Sequence, residues 1–144
     1  GADRRLGYER AMSELGLKDT RIISFGTPPI SMKQGGEALA RLVEQWPDVE
    51  AAICVSDLSA FGALTECQTR NWNVPKKIAI AGFGDFEISS CSYPTITTVG
   101  VNCYDIGKRT GELLLRAIEG ERAQKPIAAE TIITEYAVIG RDST

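Results

Sequence analysis

The sequence predicts an α/β protein, a parallel sheet with helices on both faces. Three features carry that expectation. Short, nearly all-apolar runs such as Glu50–Val55 (EAAICV) and Ile78–Ala81 (IAIA) have the character of strands covered on both sides. Longer stretches repeat apolar residues at the period of a helix. The two kinds alternate, in the order αβαβαβ and then β, α, β, which implies parallel strands joined by helical crossovers.

The first helix is expected over residues 3–16. Leu6, Tyr8, Ala11, Met12 and Leu15 recur there at helical spacing, and Gly16 supplies a stop. Ile22, Ile23 and Phe25 make Arg21–Phe25 a short strand. Gly26-Thr27-Pro28-Pro29 is then a loop, since two prolines and a glycine resist regular pairing. Ser31–Trp46 reads as a helix with Ala38, Leu39, Leu42, Val43 and Trp46 on one face, ended by Pro47-Asp48.

After the strand Glu50–Val55, Ser56 or Asp57 caps a helix running from Leu58 to Asn71. Its stripe is Ala60, Ala63, Leu64 and Cys67. Asn73-Val74-Pro75 turns the chain into a strand over Lys77–Ala81. Asp85–Tyr93 is a short helix or an irregular loop. Pro94 precedes a β-branched run through Val99, which reads as a strand. Asn102 or Asp105 opens a strong helix through Ile118, with Ile106, Thr110, Leu113, Leu114, Ala117 and Ile118 on its apolar face and Gly120 as its end. Thr131–Ile139 is the last strand.

At 144 residues the chain has room for about one domain with a real core. No apolar run approaches the roughly 20 residues of a membrane helix. The start, Gly1-Ala2-Asp3-Arg4-Arg5, lacks the apolar core of a signal peptide and an initiator methionine, so a fragment or processed chain is expected. Net charge is -3, with the basic residues scattered, which argues against direct nucleic-acid contact by this chain. Cys54, Cys67, Cys91 and Cys103 form no C-x-x-C pair, so zinc or redox chemistry is not indicated. Reduced, structural thiols in a cytosolic protein are expected instead. Histidine is absent, which removes the commonest general base.

The stretch Ile78–Val99 proposes a site. An apolar strand stops at Gly82-Phe83-Gly84-Asp85, where glycines let the backbone bend and let another group approach. Ligands of open α/β sheets bind just beyond the carboxyl ends of such strands.

Motifs along the whole chain resemble the effector-binding domain of the lactose-repressor family of bacterial transcription regulators, specifically its C-terminal half. They are Arg4-x-x-Gly7-Tyr8, Asp57-x-x-Ala60-x-Gly62, Val74-Pro75, Gly82-Phe83-x-Asp85, Pro94-x-Ile96-Thr97-Thr98-Val99, Ile106-Gly107, Glu119-Gly120 and the terminal Gly140-Arg141-Asp142-Ser143. Gly82–Ile88 looks most like the gluconate-operon repressors.

The resemblance implies a periplasmic-binding-protein-like (type I) fold. Residues 3–93 would form the C-terminal effector-binding subdomain. Residues 94–130 would be a crossover strand and helix toward the N-terminal subdomain, and 131–144 a returning strand and tail. The DNA-binding headpiece would lie outside this chain. A helix stripe without its native cover promotes association, and exchange of the 103–119 helix within a homodimer is a route to it.

The resemblance also nominates ligand-binding residues, several with a blander alternative. Arg4 matches an arginine that reaches ligand, and its planar fork suits a carboxylate; otherwise it is a solvated helix-start residue. Ser56 matches a polar ligand contact. Asp57 is a ligand contact or a helix cap. Ile30 stands where relatives carry a stacking aromatic. Asp85 and Phe86 lie on the turn, where Asp85 satisfies ligand or local amides. Most relatives carry Asp at the position of Gly84; its absence removes a charge that would repel a carboxylate, so a sugar acid is expected over a neutral sugar. Alternatively Gly84 is a turn glycine. Ala60, Ala63, Leu64 and Cys67, with Ile88 and Tyr93, match a dimer surface or else pack onto the sheet.

Function follows as expectation. The leading reading is a cytoplasmic, dimeric effector sensor of a repressor, responding to gluconate or a related sugar acid and touching operator DNA only through a headpiece. The alternative is an extracytoplasmic sugar receptor of the same bilobal fold. Catalysis is not expected, because no carboxylate pair or metal spacing stands out and Gly82-x-Gly84 lacks the third glycine of a dinucleotide loop. No cofactor, metal or membrane partner is expected.

Overall fold

A computed structural model describes residues 2–26, 29–125 and 127–144. In order, the elements are α1 (Ala2–Glu14), α2 (Met32–Gln45), β1 (Ala51–Ile53), α3 (Asp57–Thr69), β2 (Ala79–Gly84), α4 (Glu87–Cys91), β3 (Thr97–Val101), α5 (Cys103–Arg122) and β4 (Tyr136–Ile139). The chain divides into two units. One runs to Val99 and resumes with Val138–Thr144; the other is Gly100–Ala137.

The strands lie in the order β1-β2-β3-β4. β1 and β2 are parallel, with Ala51 opposite Ala79 and Ile53 opposite Ala81. The chain beyond β4 runs back along β3 in the opposite sense: the Arg141 N–H donates to Thr97 Oγ1 at 2.8 Å and the Ser143 N–H to the Thr95 carbonyl at 2.9 Å. The sheet is therefore mixed.

One face of the sheet carries the core. Along β2, Ile80, Gly82 and Gly84 are buried while Ala79, Ala81 and Phe83 are half-buried, the period-two alternation of a pleated strand. α3 lies on the buried side, where Ala60, Ala63, Leu64 and Cys67 meet Ile78, Ile80, Ile96 and Leu39 of α2. α2 and α3 approach closely because glycines stand at their contact. A Cβ on Gly62 would lie 1.7 Å from the Met32 carbonyl oxygen, and one on Gly35 would lie 2.2 Å from that of Ser59. Both helices start in a capping box, Ser31 with Gln34 and Ser56 with Ser59, which satisfies backbone donors that each first turn leaves open.

In the unit Gly100–Ala137, α5 is capped by Asn102, whose side chain accepts from the Asp105 N–H at 2.9 Å. Its apolar stripe exists as the periodicity predicts, yet no residue of α5 is buried, and Leu114 and Leu115 are largely exposed. No described helix is long and apolar enough to cross a membrane.

Several expectations are corrected. Arg21–Phe25 forms no strand; its β-branched pattern is genuine, but nothing pairs with it among the described residues. α1 forms, yet Leu6 and Leu15 are 62% and 74% exposed, so its apolar spacing buries nothing. β2 begins later than predicted and continues through Gly82 and Phe83, so the bend comes at Gly84 and Asp85. Gly120 lies within α5, which ends at Arg122, and the last strand begins only at Tyr136. Of the predicted Gly26–Pro29 loop, Thr27 and Pro28 lie outside the described residues. Ala60, Ala63, Leu64 and Cys67, proposed for a dimer surface, are buried inside this chain. They sit on the side of α3 that the sheet and α2 cover, so they belong to the core.

Candidate functional site

β1 and β2 run parallel, so their carboxyl ends open on the same edge of the sheet. Three pieces of chain gather there. The Arg4 guanidinium, projecting from α1, donates to the carbonyl of Val55, just past β1. The same group lies 4.1 Å from the ring centroid of Phe83 in β2, a cation–π contact. Ser56 follows Val55 directly, and Gly84 follows Phe83. Arg4 thus bridges the ends of two adjacent strands, at the chain neighbours of Ser56 and Gly84.

Ser56 has a structural role at this rim. Its Oγ accepts from the Ser59 N–H at 3.2 Å, and its own N–H donates to Ser59 Oγ at 3.0 Å. Capping of α3 therefore falls to Ser56.

Asp57 is fully buried and faces the sheet. Its Oδ2 accepts from the Phe86 N–H at 2.7 Å, and its Oδ1 accepts from the Thr98 hydroxyl. As the first helical residue it points its side chain back onto the strands, so the carboxylate ties α3 to the turn after β2 and to β3. This corrects the reading of Asp57 as a ligand contact or cap. Gly82 completes the arrangement, since a Cβ there would stand 2.2 Å from Asp57 Oδ1.

The turn after β2 is left-handed at two consecutive residues, Gly84 at φ 127° and Asp85 at φ 55°. The first of these is a backbone reason for glycine, because L side chains rarely adopt that conformation. Asp85 Oδ1 accepts from the Arg141 guanidinium at 2.6 Å and from Ser89 Oγ at 3.4 Å. The predicted rival to ligand binding was local amides; the partner is instead an arginine 56 residues away. Phe86 is 45% exposed, with its ring edge beside Gly84. Ile30 is half-buried ahead of α2 and lies over Gly26.

In the sequence Arg141 stands out only as part of the terminal Gly140-Arg141-Asp142-Ser143 motif. Single-sequence reasoning had no signal for its partners, which come from three segments distant in the chain.

The family of periplasmic binding protein-like domains matches residues 1–144. The chain belongs to that family. Its relatives are transcription regulators. It is 32% identical over 143 residues to the HTH-type transcriptional regulator RegA of Clostridium saccharobutylicum, covering 99% of this chain and 41% of that protein. It is 30% identical over 138 residues to the HTH-type transcriptional regulator GntR of Pseudomonas aeruginosa, covering 96% and 39%.

Among solved structures, a LacI family transcriptional regulator from Silicibacter pomeroyi superposes with a TM-score of 0.86 at 36% identity, over 99% of this chain and 50% of that one. A complex of the transcriptional regulator CelR with cellobiose gives a TM-score of 0.86 at 26% identity, over 99% and 42%. The chain spans about two fifths of the length of the curated relatives it matches.

Proposed function

We propose that this chain is the effector-sensing part of a sugar-responsive transcription regulator, and that its effector is a sugar acid, gluconate or a close relative. The observation that carries the reading is the position of Arg4, a permanently charged fork held over Phe83 at the carboxyl ends of β1 and β2. Only part of its donor set is engaged by Val55, and a carboxylate suits the remainder. Gly84 beside it adds no negative charge to the rim. A regulator of the same family fold has been solved with cellobiose, which supports a sugar-like ligand.

In this reading residues 94–130 cross toward a second lobe, residues 131–144 return from it, and ligand between the lobes favours one of their arrangements. Differential affinity for the two arrangements then shifts DNA binding by a headpiece. The exposed stripe of α5 supports a homodimer formed with exchange of the 103–119 helix, with the half-buried Ile88 and the 88% exposed Tyr93 on its surface. An extracytoplasmic receptor is the weaker reading, since the relatives named above are regulators.

Thermal unfolding of an intact regulator carrying this chain tests the proposal. Ligand that binds only the folded state raises Tm by mass action. Gluconate raises it and glucose does not; no shift with millimolar gluconate removes gluconate as the effector.

A further inference from the structure

We infer that Arg141 is a positioning residue for the rim: its guanidinium holds the left-handed Gly84–Asp85 turn in place and couples that turn to the segment returning from β4. Three contacts support this. One terminal nitrogen donates to Asp85 Oδ1 at 2.6 Å. The other donates to Ser89 Oγ at 3.0 Å and to the Ile96 carbonyl at 2.9 Å. A single side chain therefore joins the turn after β2, the short helix α4 and the approach to β3. The Arg141 side chain is 17% exposed and that of Asp85 35%, so the pair is partly shielded from water.

Anchoring the tail does not require this side chain. Ser143 is fully buried and fixes the tail without it: its Oγ donates to the Ile80 carbonyl at 2.6 Å and accepts from the Thr97 N–H at 2.8 Å. Its backbone pairs with Thr95 and Ile80 at 2.9 Å each. Arg141 instead reaches away from the tail toward two consecutive residues at positive φ. Such a conformation persists where surrounding contacts over-determine it, and the Asp85 side chain is where Arg141 supplies that constraint. The guanidinium matters for its shape as well as its charge. Lysine keeps the charge but presents one ammonium, which does not span three acceptors in a fixed plane.

The functional part of this assignment rests on the rim being the effector site; the structural part does not. The test compares the chain with Arg141→Lys and Asp85→Asn by amide spectra and amide hydrogen exchange. Both variants are expected to move the Gly84 and Phe86 resonances. Both should speed exchange of the Phe86 N–H about tenfold, while the Cys54 N–H, bonded to Ala81, keeps its protection. Unmoved Gly84 and Phe86 signals, or equal loss of protection at Cys54, would overturn the positioning role.

Gluconate is then titrated into an intact regulator carrying this chain and into its Arg141→Lys variant. A Gly84 response at least about threefold weaker in the variant supports the coupling to ligand, and equal responses refute it. No response in either protein refutes the effector reading of the rim, and the exchange data still decide the role of Arg141 in the turn.

Discussion

The Asp57 carboxylate stands where a side chain on Gly82 would be: a Cβ built on that glycine lies 2.2 Å from Asp57 Oδ1. Gly82 is therefore glycine because a buried acid rests on it. Gly82→Ala should displace the carboxylate from Thr98 and Phe86 and lower stability by about 2–3 kcal/mol, through overpacking and weakened hydrogen bonds to a buried charge. Denaturant unfolding checks this. A loss within about 0.5 kcal/mol would mean that Asp57 has another place to go.

The α2–α3 contact makes a second expectation. Gly62→Ala sets a methyl group 1.7 Å from the Met32 carbonyl oxygen, so the helices must separate. Stability should fall by about 3 kcal/mol, with the core between Leu39 and Leu64 loosened. Gly107→Ala is the control. Nothing lies within 4 Å of a Cβ there, and an alanine within a helix should be neutral or stabilising.

Ser56 separates capping from ligand contact. An N-cap serine replaced by alanine costs about 1 kcal/mol, while replacement by glycine costs only a few tenths. Ser56→Ala should therefore lower the denaturation midpoint measurably and Ser56→Gly hardly at all. Both lose the hydroxyl, so a ligand contact through it would weaken gluconate binding equally in the two variants.

The thiols divide into two classes. Burial pushes Cys67 up to about 11 and Cys54 up to about 12, with the Cys67–Glu66 and Cys54–Cys67 interactions adding to it. Cys91 and Cys103 are exposed. A thiol reagent at mildly alkaline pH should label Cys91 and Cys103 in the folded chain and reach Cys54 and Cys67 only on unfolding, because the thiolate is the reactive form.

The same shifts give a pH dependence. Above about pH 9 the unfolded chain has lost the Cys54 proton that the folded chain keeps to about 12, so stability falls as pH rises through that window. The slope is about 1.4 kcal/mol per pH unit for each such thiol, and Cys54→Ala should flatten it.

The alternation of apolar strands and amphipathic helices was legible wherever burial decides the structure. α2, β1 and α3 lie close to their expected places because Leu39, Ala52 and Leu64 meet one another in the core. Legibility failed where a pattern lacks a partner. Ile22, Ile23 and Phe25 have β-branched and aromatic character, but a strand needs a neighbour to pair with. At the rim, spacing and resemblance nominated seven residues, of which Arg4 reaches Val55 and Phe83, the chain neighbours of Ser56 and Gly84. Neither revealed that Asp57 faces the strands or that Asp85 meets Arg141. Both are contacts between segments far apart in sequence, and a carboxylate looks the same along the chain whether it faces solvent, an amide or an arginine.

The seat of Ser143 has a consequence for how the fold is assembled. Its hydroxyl bonds to Ile80 across 63 positions of sequence and to Thr97 across 46. During synthesis, Ile80 and Thr97 emerge from the ribosome long before the residue that joins them. A nascent chain paused anywhere between has a gap in its sheet with open amide and carbonyl groups. Completion of this unit must wait until Ser143 clears the exit tunnel, so its sheet is sealed only well after both of those strands have been made.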